Sequence, residues 1–332
     1  MTISVYVPLV VTVLLAVLAP RVTRQRAPRP AAWSLACAAA VTATGWLGSL
    51  ALLAFTAFAQ IPEVAEEGHW SVAALRTHDP VDLSVAAVSA LALAAGLVSL
   101  GVASARQVRH LMWARRECGR MPGDTELVVL DDDIPQAFAL PGAPGRIVVS
   151  RGMLRCLGDA EREALLAHER AHLRGRHHLF QTVWRLAAAA NPLLRPLAEA
   201  GAFALERWAD EEAATRTGSR TVVARAVGRA ALASAAVARP AALAATGGAV
   251  PQRVQALLSP PPPPRTLPFA AGAVLLTLCC VSLANAASDS ENLVDSAEHA
   301  CCAATPHVQH GPGLCTESCG ADERNEHGKH RS

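Results

Sequence analysis

Apolar runs without a charged side chain dominate the chain and fall in four places: Thr2–Pro20, Ala31–Gln60, Leu83–Ala105 and Thr266–Ser288. A helix needs roughly 20 apolar residues to cross roughly 30 Å of hydrocarbon, and each run reaches or nearly reaches that length. The pattern predicts four membrane spans, over about residues 3–20, 32–59, 83–105 and 266–287. The first reads as a retained anchor, because no basic region precedes it and Arg21, Arg24, Arg26 and Arg29 follow it directly.

Between the third and fourth runs the pattern changes. Residues 106–258 are the one block large enough for a conventional core, and they begin with strand-like runs at Glu126–Leu130, Gln136–Leu140 and Arg146–Ser150. Gly and Pro in Pro141–Gly145 predict a hairpin between the last two. From Asp159 the spacing becomes helical, with Asp159 as N-cap and Glu161 and Glu163 near the positive end of the helix dipole. The apolar run Leu179–Pro196, interrupted by Arg185 and Arg195 and broken at Asn191-Pro192, predicts a core or membrane-surface helix, with a fifth span as the lesser alternative. Pro260–Pro264 predicts a stiff linker over 259–265, before the fourth span and a tail over 288–332. The fold class expected is mainly α: a multi-span helical membrane protein carrying a cytoplasmic α+β domain.

Composition agrees. Hydrophobic residues make up 52% and charged residues 17%, with mean hydropathy +0.26, so the apolar excess must face something other than water. A disordered chain and a highly charged partner of nucleic acid are both excluded. Of the 30 basic residues only Lys329 is a lysine, which reflects codon usage more than function. The distribution of charge sets orientation. Four arginines and no acid follow the first run. Ile61–Asp82 carries five acids against Arg76, and the third run is followed by Arg106, Arg109, Arg115, Arg116 and Arg120 against Glu117. Basic loops stay in the cytoplasm. The N-terminus and the tail are therefore expected outside a bacterial plasma membrane, with residues 106–265 inside.

Within the first helix after the strands stands His168-Glu169-Arg170-Ala171-His172. Histidines four apart share a helix face and can reach one Zn²⁺ at roughly 2.0–2.1 Å. The glutamate beside the first can take a proton from a water on the metal. With the chain's own His and Glu content the pattern arises by accident about 0.02 times. A catalytic zinc site wants a third protein ligand, and Glu206 and Asp210 again share one face. Acids one turn apart usually just face water, and spacing leaves Glu199, Glu211 and Glu212 as alternatives. The strand Arg146, Ile147, Val148, Val149 and Ser150 is expected to pair with an extended substrate. His177 and His178 are expected to face solvent or headgroups.

Gln136–Pro141, Arg146–Leu154, His168–His172 and Glu206–Asp210 together resemble membrane zinc peptidases, namely the BlaR/MecR signal-transducer family and the related HtpX and CAAX prenyl-protease family. The resemblance covers roughly residues 125–215. It implies a gluzincin-type domain with one zinc per chain held by His168, His172 and Glu206, Glu169 as the base, and Asp210 orienting a ligand from behind. The layout of spans favours the BlaR/MecR branch, which implies peptide-bond cleavage of a protein substrate such as a transcriptional repressor. HtpX-like turnover of damaged membrane proteins is the alternative among enzymes, and a membrane metal sensor or adaptor is the alternative without turnover. The chain departs from the transducers in its tail, which has no serine-lysine acylation motif. That tail holds Cys301, Cys302, Cys315 and Cys319 with five histidines. It suits two disulfides, a soft-metal site, or a plain solvated end. Cys118 and Cys156 fall in a reducing compartment, and Cys37, Cys279 and Cys280 read as packing residues.

Overall fold

The structure is a computed structural model that describes residues 3–58, 83–121, 125–237, 249–260 and most of 273–288. The loop Ile61–Asp82, most of the polyproline spacer, and the tail with Cys301, Cys302, Cys315 and Cys319 lie outside the described residues.

The N-terminal helices are α1 (Val7–Gln25), rich in β-branched valine and with Pro20 inside it, and α2 (Pro28–Phe58), rich in alanine and leucine. The third predicted span opens a longer helix, α3 (Leu83–Arg120), of 38 residues. No break occurs at Ala105, because the Arg, Gln, Met and Glu that follow are straight-chain residues that lose little rotamer freedom in a helix. Among the described residues, Pro28–Phe55 and Ser84–Arg120 are long and apolar enough to cross a membrane, whereas Val7–Arg21 and Leu276–Ser288 are apolar but shorter.

Two compact units emerge from the packing. The first comprises Met1–Val10, Thr44–Gly96 and Thr277–Ser332. Val5, Leu53 and Ala286 are buried together there. The second comprises Val11–Ala43 and Leu97–Leu276, and it contains every residue of the candidate site.

In the second unit, β1 (Leu127–Leu130), β2 (Ala137–Leu140) and β3 (Arg146–Ser150) form a sheet of order β1-β3-β2. The Pro-Gly link makes β2 and β3 antiparallel, as predicted, with Ala139 opposite Ile147. β1 runs parallel to β3, with Leu127 opposite Ile147. All five residues of β3 are buried, which suits an unbroken Ile-Val-Val run covered on both faces. This corrects one expectation. Arg146, Ile147, Val148, Val149 and Ser150 form the middle strand, with both backbone edges already bonded, so they cannot take up a substrate. The outer strand beside β3 is β2. The bond from Ser150 N–H to the Gln136 carbonyl, 2.9 Å, sets the alternation of the ladder, so the peptide groups of Ala137 and Ala139 turn to the open side.

Ser150 also starts α4 (Arg151–Cys156): its hydroxyl accepts the Met153 N–H at 3.1 Å. The next helix, α5 (Asp159–Arg174), begins one residue differently from the expectation. Gly158 is the N-cap and Asp159 the first helical residue. The cause is Glu161, whose carboxylate reaches back to accept the Gly158 N–H at 3.0 Å. The predicted break at Asn191-Pro192 separates α6 (His177–Ala190) from α7 (Arg195–Thr217), and the Asn191 side chain accepts the Leu193 N–H at 3.1 Å. Gly218, at φ 68°, closes α7. α8 (Arg220–Val237) and α9 (Ala249–Leu258) complete the unit and pack on α7.

α7 is the central helix. Leu197, Ala204, Leu205 and Ala209 are fully buried. At Gly201 a β-carbon would sit 2.5 Å from the Trp184 ring, so α6 and α7 can touch only at a glycine. Arg207, 4% exposed, donates to the carbonyls of Thr23 and Arg26 at 2.9 and 3.1 Å. It thereby satisfies acceptors that the end of α1 leaves open.

Candidate metal centre

The motif on α5 and the acidic pair on α7 meet face to face, because these two helices pack more extensively on each other than any other pair of elements. His168 Nε2 lies 3.1 Å from His172 Nε2 and 3.6 Å from Glu206 Oε2. His172 Nε2 lies 3.5 Å from Glu206 Oε1. Ligands at roughly 2.0–2.1 Å from a tetrahedral ion are about 3.4 Å apart, so the three donors already occupy one face of such a tetrahedron. They are the one group of potential metal ligands of this kind among the described residues. Two imidazoles and a carboxylate, with the fourth direction open to a cleft, form the donor set of a catalytic zinc site. The residues fit the metal.

The expected orienting residue is also in place. Asp210, only 1% exposed, puts Oδ1 3.0 Å from His168 Nδ1, which turns Nε2 toward the other ligands. The alternatives fall away. Glu211 pairs with Arg220 at 2.9 Å, while Glu199 and Glu212 are exposed.

Two further residues were not expected. Arg253, on α9, binds Asp210 with two nitrogens at 2.7 and 2.8 Å and Glu206 with the third at 2.8 Å. No local pattern announces it: it stands 43 residues beyond Asp210 on another helix. The second corrects the placement of His177 at the surface. It is 1% exposed, with Nδ1 2.8 Å from His172 Nδ1 and its ring against Trp208 at 4.6 Å. A sharp corner turns it inward. Arg176 adopts φ 49°, and Gly175 leaves room where a β-carbon would meet the His177 ring at 2.4 Å. His178 is half-buried and lines the cleft.

Charge within the centre is sharply divided. Burial alone would depress His168, but the facing carboxylates of Asp210 and Glu206 override it and push its pKa up to about 10. Burial, and then the neighbouring His168 charge, lowers His172 to about 4. Burial and His172 lower His177 to about 3. Glu206 is held below the carboxylate range despite its burial, chiefly by the hydrogen bond with His168. Asp210 is likewise lowered against its burial, by Arg253 and His168. Two ionised carboxylates thus converge on one cationic point, the field that a divalent ion requires. Glu169 differs: burial raises its pKa, countered in part by His168 and by the backbone of Ala139 in β2.

Residues 103–223 match the family model described as Peptidase family M48. A 71-residue stretch is 37% identical to the protein named Protease HtpX homolog of Pelotomaculum thermopropionicum, covering 21% of this chain and 25% of that protein. The chain therefore matches about a quarter of the relative's length. No solved structure matches. The matched segment contains both histidines, Glu169, Glu206 and Asp210 and stops short of Arg253. Residues 103–223 are thus similar to a Peptidase family M48 domain.

Proposed function

We propose that the chain is a membrane-anchored zinc endopeptidase cleaving peptide bonds of a cytoplasmic or membrane protein. The observation that supports it best is the tetrahedral spacing of His168, His172 and Glu206 beside a buried glutamate and an open strand edge. What zinc supplies when bound is Lewis-acid polarisation of the scissile carbonyl and acidification of a water. Glu169, its pKa raised by burial, takes the proton of the attacking water and hands it to the leaving amine. The peptide groups of Ala137 and Ala139 pair with the extended substrate backbone, which presents a peptide without demanding its sequence. Asp210 and Arg253 hold the His168 ring and the Glu206 carboxylate in place, so that no ligand must reorganise during turnover.

The test uses the full chain purified in detergent. We expect one zinc per chain by mass spectrometry and cleavage of an unstructured protein such as casein. Glu169→Ala should retain the zinc and abolish the cleavage. A wild-type protein that holds zinc and cleaves nothing would favour the sensor or adaptor reading. Single-cysteine labelling of intact cells should reach Ile61–Asp82 and leave Ala160–Asp210 untouched, as the arginine asymmetry requires.

The match to a Protease HtpX homolog favours turnover of membrane proteins as the physiological role over cleavage of a repressor. Membrane proteins accumulating in a Glu169→Ala strain would support it. A transcriptional response with an unchanged membrane proteome would return the repressor to first place.

A further inference from the structure

Two cavities open from the metal centre, and both are lined by His168, Glu169 and Glu206. The larger, about 790 Å³, runs between β2, α5, α8 and α9, with walls of Met153, Leu165, Val223, Val227 and Val254. At its rim stands Leu232, 72% exposed, an aliphatic side chain with no folding reason to be there. The smaller, about 470 Å³, runs between β2, α3 and α6, and its polar wall is Gln107, His110, His178, Gln181 and Arg185. Its only carboxylates are Glu169 and Glu206 at the centre itself. Gln107, 9% exposed, braces this wall by donating to Thr182 at 2.8 Å and accepting from Arg185 at 3.4 Å. Burial and the nearby Arg176 and Arg115 lower the pKa of His178, and Arg185 is the side chain of this wall that stays charged at every physiological pH.

β2 links the two. Its approach, Pro135 to Ala137, lines the apolar cavity, and Ala137 to Pro141 lines the basic one. A peptide paired with this edge would cross the metal centre with one flank in each cavity. We infer that the two cavities are halves of one peptide groove, selecting apolar side chains on one side of the scissile bond and acidic side chains on the other. This rests on the peptidase reading above. An apolar pocket rejects a charge through desolvation, and a lone guanidinium in a cleft focuses its field on carboxylates.

The experiment digests a randomised peptide library with the full zinc-loaded chain and maps the cut sites by mass spectrometry. Apolar residues should be enriched on one flank and Asp or Glu on the other. Arg185→Glu should shift the ratio of kcat/KM for acidic over basic peptides by about tenfold or more. Leu232→Glu should lower kcat/KM for apolar peptides by about 10- to 200-fold, the range of one lost apolar contact or more. Both substitutions are at exposed positions, and zinc content should not change. Binding of the same peptides to Glu169→Ala, read by fluorescence anisotropy, should follow the same order. Cleavage without a two-sided preference, or preferences that survive both substitutions, would overturn the groove and leave the peptidase intact. A zinc-loaded wild type that cuts no library peptide would remove the peptidase reading, and the groove with it.

Discussion

His168 and His172 lie one turn apart on the same helix and point at the same place, yet what stands behind them differs in kind. Behind His168 is charge: the Asp210 carboxylate at 3.0 Å, itself clamped by two nitrogens of Arg253. Behind His172 is a neutral aromatic wall, His177 at 2.8 Å, with Trp208 and Phe180 packed around it. One ring is held by a buried carboxylate at ion-pair distance. The other is fixed by close packing, with a weaker bond between two imidazoles. The same division appears in their pKa values, about 10 and about 4. A site with one polarised and one neutral ligand can be damaged in two distinguishable ways.

The largest effect expected does not discriminate between the two sides. His172→Ala or Glu206→Ala should lose bound zinc and all activity, measured as metal content after dialysis. Retention of zinc in Glu206→Ala would mean that another carboxylate completes the set. Next comes Glu169→Ala, which should keep the metal and lower kcat by about 10²- to 10⁴-fold, the usual contribution of a general base. The comparison sharpens with Arg253→Met. This takes the guanidinium clamp from buried Asp210 and leaves the carboxylate to His168, at a cost of up to about 3–5 kcal/mol, to be read as lost thermal stability together with weakened zinc binding. Smallest are the two matched supports. Asp210→Asn should lower zinc affinity by about 10- to 100-fold, while His177→Phe, which keeps the aromatic packing, should stay at the lower end of that range. Equal losses in both, by competition with a fluorescent chelator, would break the asymmetry.

What sequence revealed of this centre is what a single helix can encode. His168 and His172, like Glu206 and Asp210, are four residues apart, and helical geometry alone puts each pair on one face. The hairpin Ala137–Ser150 was legible for the same reason: its turn is local. Arg253 was not, since its position follows from how α9 packs on α7. His177 was visible but placed wrongly, because its burial depends on a corner at Gly175-Arg176 and a tryptophan 31 residues later. The strand order failed in the same manner. A buried Ile-Val-Val run suits an edge that meets a substrate or a strand enclosed by two others, and only the long-range β1–β3 pairing decides.

That pairing leaves the open edge to β2, and an open edge is a hazard as well as a tool. Unpaired peptide groups in a row invite any extended chain, including a second copy of the same protein, to add on and aggregate. Here the exposed stretch is only four residues long, too short to nucleate a stack. One of its two outward N–H groups, that of Ala139, faces the Glu169 carboxylate and lowers its pKa. A stray strand pairing there would draw that N–H away from a buried carboxylate, which burial penalises. Its short length and the glutamate beside it both guard the edge against casual partners.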